Sequence, residues 1–219
     1  MANTISFDAA PVLALLRAQT ASHELSHLLG MCLVGKDIPG GTTMTIQRQA
    51  GGGFIAFYPG EWKPKSVAEN LITSASGPVG GAAFGDSILR TSTSPSISKS
   101  LQRIVEADGV DLLIQGMADR AASNDDRRTM LLAGFLAGSQ QLAPEITRTL
   151  RAIAFVGVGL ATHQQGQTLA LMAQRGLDSE QGEFSITASA VRGLVESAAA
   201  FYADQANQPE PEPAEAEPA

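Results

Sequence analysis

Apolar and polar positions along this chain recur mostly at the helical period, with one interruption by a strand-like alternation. From Asp8 and Pro11, both suited to the first turn of a helix, "VLALLRAQTASHELSHLLGMCLV" has no glycine or proline until Gly30 and continues as one helical pattern until "GKDIPGG" breaks it. "TTMTIQRQ" is rich in β-formers and partly alternates, "AGGG" is a turn signal, and "FIAFYP" is a second short apolar run; together they predict a β-hairpin. After Trp62 the helical character returns in "PKSVAENLITSAS", followed by glycine-rich "GPVGGAAFGD", a Ser- and Thr-rich loop "RTSTSPSIS" and helical "KSLQRIVEADGVDLLIQGMADRAAS". "NDDRRTMLLAGFLAGSQ" opens on helix-start residues, "PEITRTLRAIAFVGVGLATHQQGQTLALMAQRGL" continues helically beyond Pro144, and "SITASAVRGLVESAAAFYADQ" reads as a last helix. The expected fold is therefore α+β, mostly α-helical with a small β-sheet or hairpin, in a single domain over residues 1–206.

Residues 207–219, "NQPEPEPAEAEPA", alternate proline and glutamate, cannot bury apolar surface, and predict a disordered acidic tail. This changes the charge picture: of the net −7, four charges lie in that tail, which leaves −3 for residues 1–206. With the 15 Lys and Arg scattered, nucleic acid is not the expected partner, since neutralising phosphates needs clustered bases. An apolar fraction of 44% over 219 residues supplies a sizeable core. The longest apolar runs, "TMLLAGFLAG" and "LRAIAFVGVGLA", fall short of the roughly 20 residues that span a bilayer, so no membrane association is expected. The single cysteine, Cys32, makes no internal disulfide, and the N-terminus lacks the basic-then-apolar signature of a secretory signal; the expected location is the cytoplasm.

One stretch carries recognisable chemistry. "TASHELSHLLG" holds His23 and His27 four residues apart with Glu24 directly after the first. On a helix that spacing puts both imidazoles on one face, one turn apart, where they can point at a single ion. Glu24 then sits beside the ion without ligating it. In an H-E-x-x-H arrangement the metal polarises a water and the glutamate takes its proton as the water attacks an amide carbonyl. The bland alternative is a chance cluster on an ordinary amphipathic helix. The apolar turn that follows, "HLLGMCLV", favours the metal reading, because it predicts a buried helix whose polar groups need partners. Zinc there needs a third protein ligand and keeps a fourth position for water. Glu69, Asp86, Asp119, Asp125 and Asp126 are candidates, with His163 in polar helical surroundings as the remaining histidine; spacing does not choose among them.

With these motifs in order, the chain resembles the peptidase domain of FtsH-type ATP-dependent zinc metalloproteases. The resemblance rests on "HELSHLLGMCLVGKDIPG", "TTMTIQRQAGGGFIAFYP", "NLITSASGPVGGAAFGD" and "AASNDDRRTMLLAG", which follow one another as in that family, and it spans roughly residues 10 to 200. It implies a zinc metallopeptidase-like fold with His23 and His27 as metal ligands, Glu24 as general base and Asp125, the Asp of "SND", as the third ligand, with Asp126 next in line. Two departures stand out: Ser87 to Ala122 is longer than the family's usual connection, and "GGAAFGD" lacks the alanine-glutamate pair usual there. No ATPase module precedes the domain, so the expectation is a stand-alone zinc endopeptidase that is ATP-independent by itself. It would act on peptides or unfolded protein, or on what a separate ATPase partner delivers, with oligomeric state open.

Two further features bear on function. "GMCLVGKD" matches G-x-x-x-x-G-K, but Asp37 stands where a P-loop needs Ser or Thr, and the stretch follows a helix instead of a strand, so a nucleotide site is not expected. Either strand of the hairpin offers an edge on which an extended peptide could lie, against the alternative that both are simply packed. The competing function is a catalytically inert, peptidase-like module that binds peptides or proteins, and beyond it a helical scaffold whose motif is accidental.

Overall fold

In the computed structural model, residues 10–35, 37–57, 65–93, 97–138 and 144–206 are described. The acidic tail expected over 207–219, and Asp8 at the first helix start, lie outside them. Helix α1 (Ala10–Val34) runs the whole length expected of it, passing through Gly30 and ending at the "GKDIPGG" break. It packs most extensively against α2 (Val67–Thr93). That helix absorbs the glycine-rich "GPVGGAAFGD" and carries Pro78 inside it.

The glycines explain this absorption. A Cβ on Gly80 would run into Ser26 Oγ, and one on Gly30 into Ser76 Oγ, so glycine on each helix admits a serine of the other. The glycines thus permit close approach of the two backbones.

The expected hairpin is present as β1 (Thr43–Arg48) and β2 (Phe54–Phe57), turned through Gly52, whose φ of 86° suits glycine. A third strand, β3 (Glu183–Thr187), completes an antiparallel sheet in the order β2-β1-β3. This corrects the expectation that "SIT" opens the last helix: Ser185 pairs with Thr45 and Ile186 with Met44, and α8 (Ala188–Ala206) starts one residue after the strand.

Between hairpin and β3 come α3 (Ile97–Glu106), α4 (Gly109–Met117), α5 (Asn124–Gly138), α6 (Pro144–Thr162) and α7 (Gln164–Asp178). The last two were expected as one continuous helix. They separate at His163, where the backbone turns extended, and a Cβ on Gly166 would strike Gly159 O, so glycine lets α7 fold back tightly on α6. The class is thus α+β, mostly helical with a small antiparallel sheet. Two apolar clusters fill it. Leu25, Leu28 and Leu29 of α1 pack with Met44 and Ile46 of β1 and with α7 and α8; Val79 and Ala83 of α2 pack with Leu112, Met130 and Ile153 from α4, α5 and α6. No helix among the described residues is long and apolar enough to cross a membrane.

Candidate metal centre

Helix α1 is buried along most of residues 21–30, and His23 and Glu24 are buried with its leucines, at 2% and 8% exposure. Polar groups removed from water this far require partners. His23 Nδ1 meets Asp119 Oδ2 at 2.7 Å, and because a carboxylate oxygen accepts, the imidazole donates there. His27 Nδ1 donates to the main-chain oxygen of Thr73 on α2 at 2.8 Å. Both rings therefore turn their Nε2 atoms inward, where they face each other across 3.2 Å. Two nitrogens set this way need a proton or a cation between them.

Asp126 closes the group. Its Oδ2 lies 3.5 Å from His23 Nε2 and its Oδ1 3.8 Å from His27 Nε2. It is held there by a reciprocal cap at the start of α5: Ser123 N and Oγ both donate to Asp126 Oδ2 at 2.9 Å, and Asp126 N donates to Ser123 Oγ at 3.1 Å. Asp125, expected as third ligand, is placed elsewhere. Its side chain is 90% exposed and pairs with Arg128. Adjacent residues on a helix diverge by about 100°, so only one of the two can face α1.

Of the other candidates, Asp119 is buried against His23, not among the inward atoms. Glu69 caps the start of α2 by accepting from Lys65 N. Asp86 and His163 are outside the cluster of potential ligand atoms, which among the described residues is His23, His27 and Asp126.

The three groups could together hold a metal ion. A tetrahedral site with bonds of about 2.0–2.1 Å has ligand atoms about 3.3–3.4 Å apart, and the separations here bracket that value. Two imidazole nitrogens and one carboxylate would leave a four-coordinate ion one position open. Glu24 stands beside this triangle, its Oε1 3.9 Å from His23 Nε2.

The electrostatics are strongly mutual. Burial raises the Glu24 carboxyl to about 7, against the opposing pull of the His23 charge and of the Ala56 N–H that its carboxylate accepts. Burial alone would depress His23, but its hydrogen bonds to the carboxylates of Asp119 and Asp126 prevail and carry it up to about 9. His27, buried and facing that charge, falls to about 4. Asp126 is pushed up by burial, yet the His23 hydrogen bond and the His27 charge hold it well below the ordinary carboxylate range. Without metal, the facing rings disfavour a second positive charge, and the neighbouring carboxylates favour the first on His23.

The group lines a cleft of about 750 Å³ whose opposite wall is β2. In the hairpin, Gln49 N donates to Gly53 O, and Ile55 and Phe57 continue that phase opposite Gln47 and Thr45. Phe54 and Ala56 therefore point their backbone groups to the other side of β2, the edge that no strand among the described residues covers, and the Ala56 N–H that Glu24 accepts belongs to it. Comparison of the chain with protein-family models, with curated proteins and with solved structures returns no significant match, so the site is read on its geometry alone.

Proposed function

We propose that this protein is a zinc-dependent metallopeptidase, with His23, His27 and Asp126 as the metal ligands and Glu24 as the general base. The observation that carries the reading is the convergence of His23 Nε2, His27 Nε2 and the Asp126 carboxylate, with Glu24 alongside, on a cleft bounded by an open strand edge. Zinc held by these three groups would supply Lewis acidity, activating a water for attack at a pKa near 7.

The chain's own residues do the rest. Glu24, whose Oε1 stands 3.9 Å from His23 Nε2 beside the ligand triangle, would take the proton of the attacking water and pass it to the leaving amine. An extended peptide laid along β2 would bond to the backbone of Phe54 and to Ala56 O, contacts independent of side-chain sequence. That geometry fits an unfolded or extended substrate, supplied free or by a separate ATPase. Asp119 and Thr73 hold the two imidazoles from outside.

Zinc analysis and cleavage of an unfolded protein by the purified chain test the reading. Glu24→Gln is expected to keep stoichiometric zinc and lose cleavage by at least about a hundredfold. A wild-type chain that takes up no zinc, or a glutamine variant that cleaves like wild type, refutes it. Zinc uptake by a wild-type chain that binds unfolded protein without cutting it would favour the inert binding module instead.

A further inference from the structure

Asp119 belongs to no helix: it lies in the connection between α4 and α5 and is 1% exposed. A carboxylate removed from water this completely is tolerated only with donors on its oxygens. It has three. Two come from α1, Gln19 Nε2 to Oδ1 at 2.8 Å and His23 Nδ1 to Oδ2 at 2.7 Å, one helical turn apart. The third is local, Ala121 N to Oδ1 at 2.9 Å. The same connection then delivers Asp126 through the Ser123 cap, and the main-chain oxygen of Asp119 accepts from Arg127 Nη2 at 3.4 Å.

Space for this carboxylate is not incidental. A Cβ on Gly81 of α2 would stand 3.0 Å from Asp119 Cγ, closer still to Oδ2, and 3.2 Å from His23 Cβ.

We propose that Asp119 is the positioning residue of the centre and that Gly81 is glycine in order to admit it. By binding Gln19 and His23 on α1 and Ala121 in its own connection, Asp119 fixes the His23 ring with Nε2 inward and sets how far α5 stands from α1. One connection thereby supplies both a ligand, Asp126, and the orientation of another. The inference rests on the metal reading above and adds two residues to it, one of them without a side chain.

Its consequences are specific. Asp119→Asn keeps the volume but removes the charge and one acceptor; loss of such an outer partner lowers metal affinity by about 10–100-fold. Gly81→Ala is expected to do the same, because its methyl takes the place of Oδ2. The two changes should not add: in an Asp119→Ala background the clash with the carboxylate is gone and only the 3.2 Å approach to His23 Cβ remains, so Gly81→Ala should cost several-fold less in affinity than it does alone.

The experiment measures Zn²⁺ affinity by competition with a chromophoric chelator for wild type, Asp119→Asn, Asp119→Ala, Gly81→Ala and Gly81→Ala/Asp119→Ala. Imidazole ¹⁵N shifts of the metal-free wild type and Asp119→Asn are recorded beside it. The expected result is a loss in each single variant, strong non-additivity in the double, and a changed His23 Nδ1 signal in Asp119→Asn. If Asp119→Asn leaves both the His23 shifts and the zinc affinity at wild-type values, or if the two losses simply add, the proposal is overturned. A wild-type chain that binds no zinc overturns the metal reading itself, which the metal-free shifts of His23 distinguish from a failure of Asp119 alone.

Discussion

Gly77→Ala should disable the metal centre while leaving the fold in place. Gly77 lies on α2 directly behind the His27 ring: a Cβ there would be 2.6 Å from Cε1 and closer still to Nε2 and Cδ2. Ordinary carbon contacts sit near 3.5–4.0 Å, so the ring must retreat by roughly 1 Å or the helices must part by as much. A zinc–nitrogen bond tolerates about 0.2 Å. Retreat of the ring also strains the 2.8 Å bond from Nδ1 to Thr73 O. Parting the helices is resisted by the Gly80–Ser26 and Gly30–Ser76 approaches, which depend on the same spacing.

Either response takes His27 Nε2 out of ligating range, and zinc affinity should fall by at least the roughly 10–100-fold that loss of an outer partner costs. Stability should change little in comparison. Overpacking costs about 1–3 kcal/mol, offset by about 1 kcal/mol that alanine gains over glycine within a helix. Chelator competition reads the first quantity, and thermal melting of the metal-free protein the second. Gly134→Ala on α5, where a Cβ meets nothing within 4 Å, is the matched control and should melt slightly higher with unchanged zinc affinity. A folded Gly77→Ala chain that binds zinc within threefold of wild type would refute the assignment of His27 Nε2 as a ligand.

Three other outcomes follow from the same geometry. Asp126→Asn should lose zinc and lower stability by about 1 kcal/mol through its cap, whereas Asp125→Asn, on a side chain pointing to solvent, should change neither; equal effects in a metal titration would contradict the placement of the two. In metal-free protein the folded Glu24 titrates near 7 and the unfolded one at 4.5, so stability conferred by its protonated form declines as pH rises from 4.5 to 7. Glu24→Gln should therefore match wild type below pH 4.5 and exceed it above pH 7, by at most about 3 kcal/mol in denaturant melts; a difference of opposite sign would show the carboxylate to be stabilised in the fold. Phe54→Pro deletes an N–H at the open edge of β2 and should raise KM for an unfolded substrate with the hairpin intact, whereas Ile55→Pro, inside the β1–β2 ladder, should unfold the hairpin by circular dichroism; an unchanged KM for Phe54→Pro would remove the strand edge from substrate binding.

How much of this was legible in the sequence depended on range. Helix α1 was readable because its helical pattern is long and uninterrupted, and with it the shared face of His23 and His27. The α6–α7 break was not, since the residues around His163 carry no proline and the tight return depends on Gly166 meeting Gly159 O, a contact between helices. Strand β3 is five residues long and runs straight into an alanine-rich helix, so the helical pattern that follows masked its alternation.

The choice of Asp126 over Asp125 is a different case, because a local signal existed. "SNDD" contains Ser-x-x-Asp, the spacing at which a capping serine and the fourth residue bond reciprocally, and that points Asp126 back over the helix start while leaving Asp125 free to turn outward. Asp119, by contrast, is 96 residues from His23, and nothing in "GMADRAAS" distinguishes it from a surface acid. Its role becomes visible only when α2 is seen to lack a side chain at Gly81. The face on which His23, His27 and Asp126 converge is written locally, in the period of one helix and the cap of another. What surrounds those side chains is written in glycines and a loop carboxylate whose meaning exists only once the helices are packed.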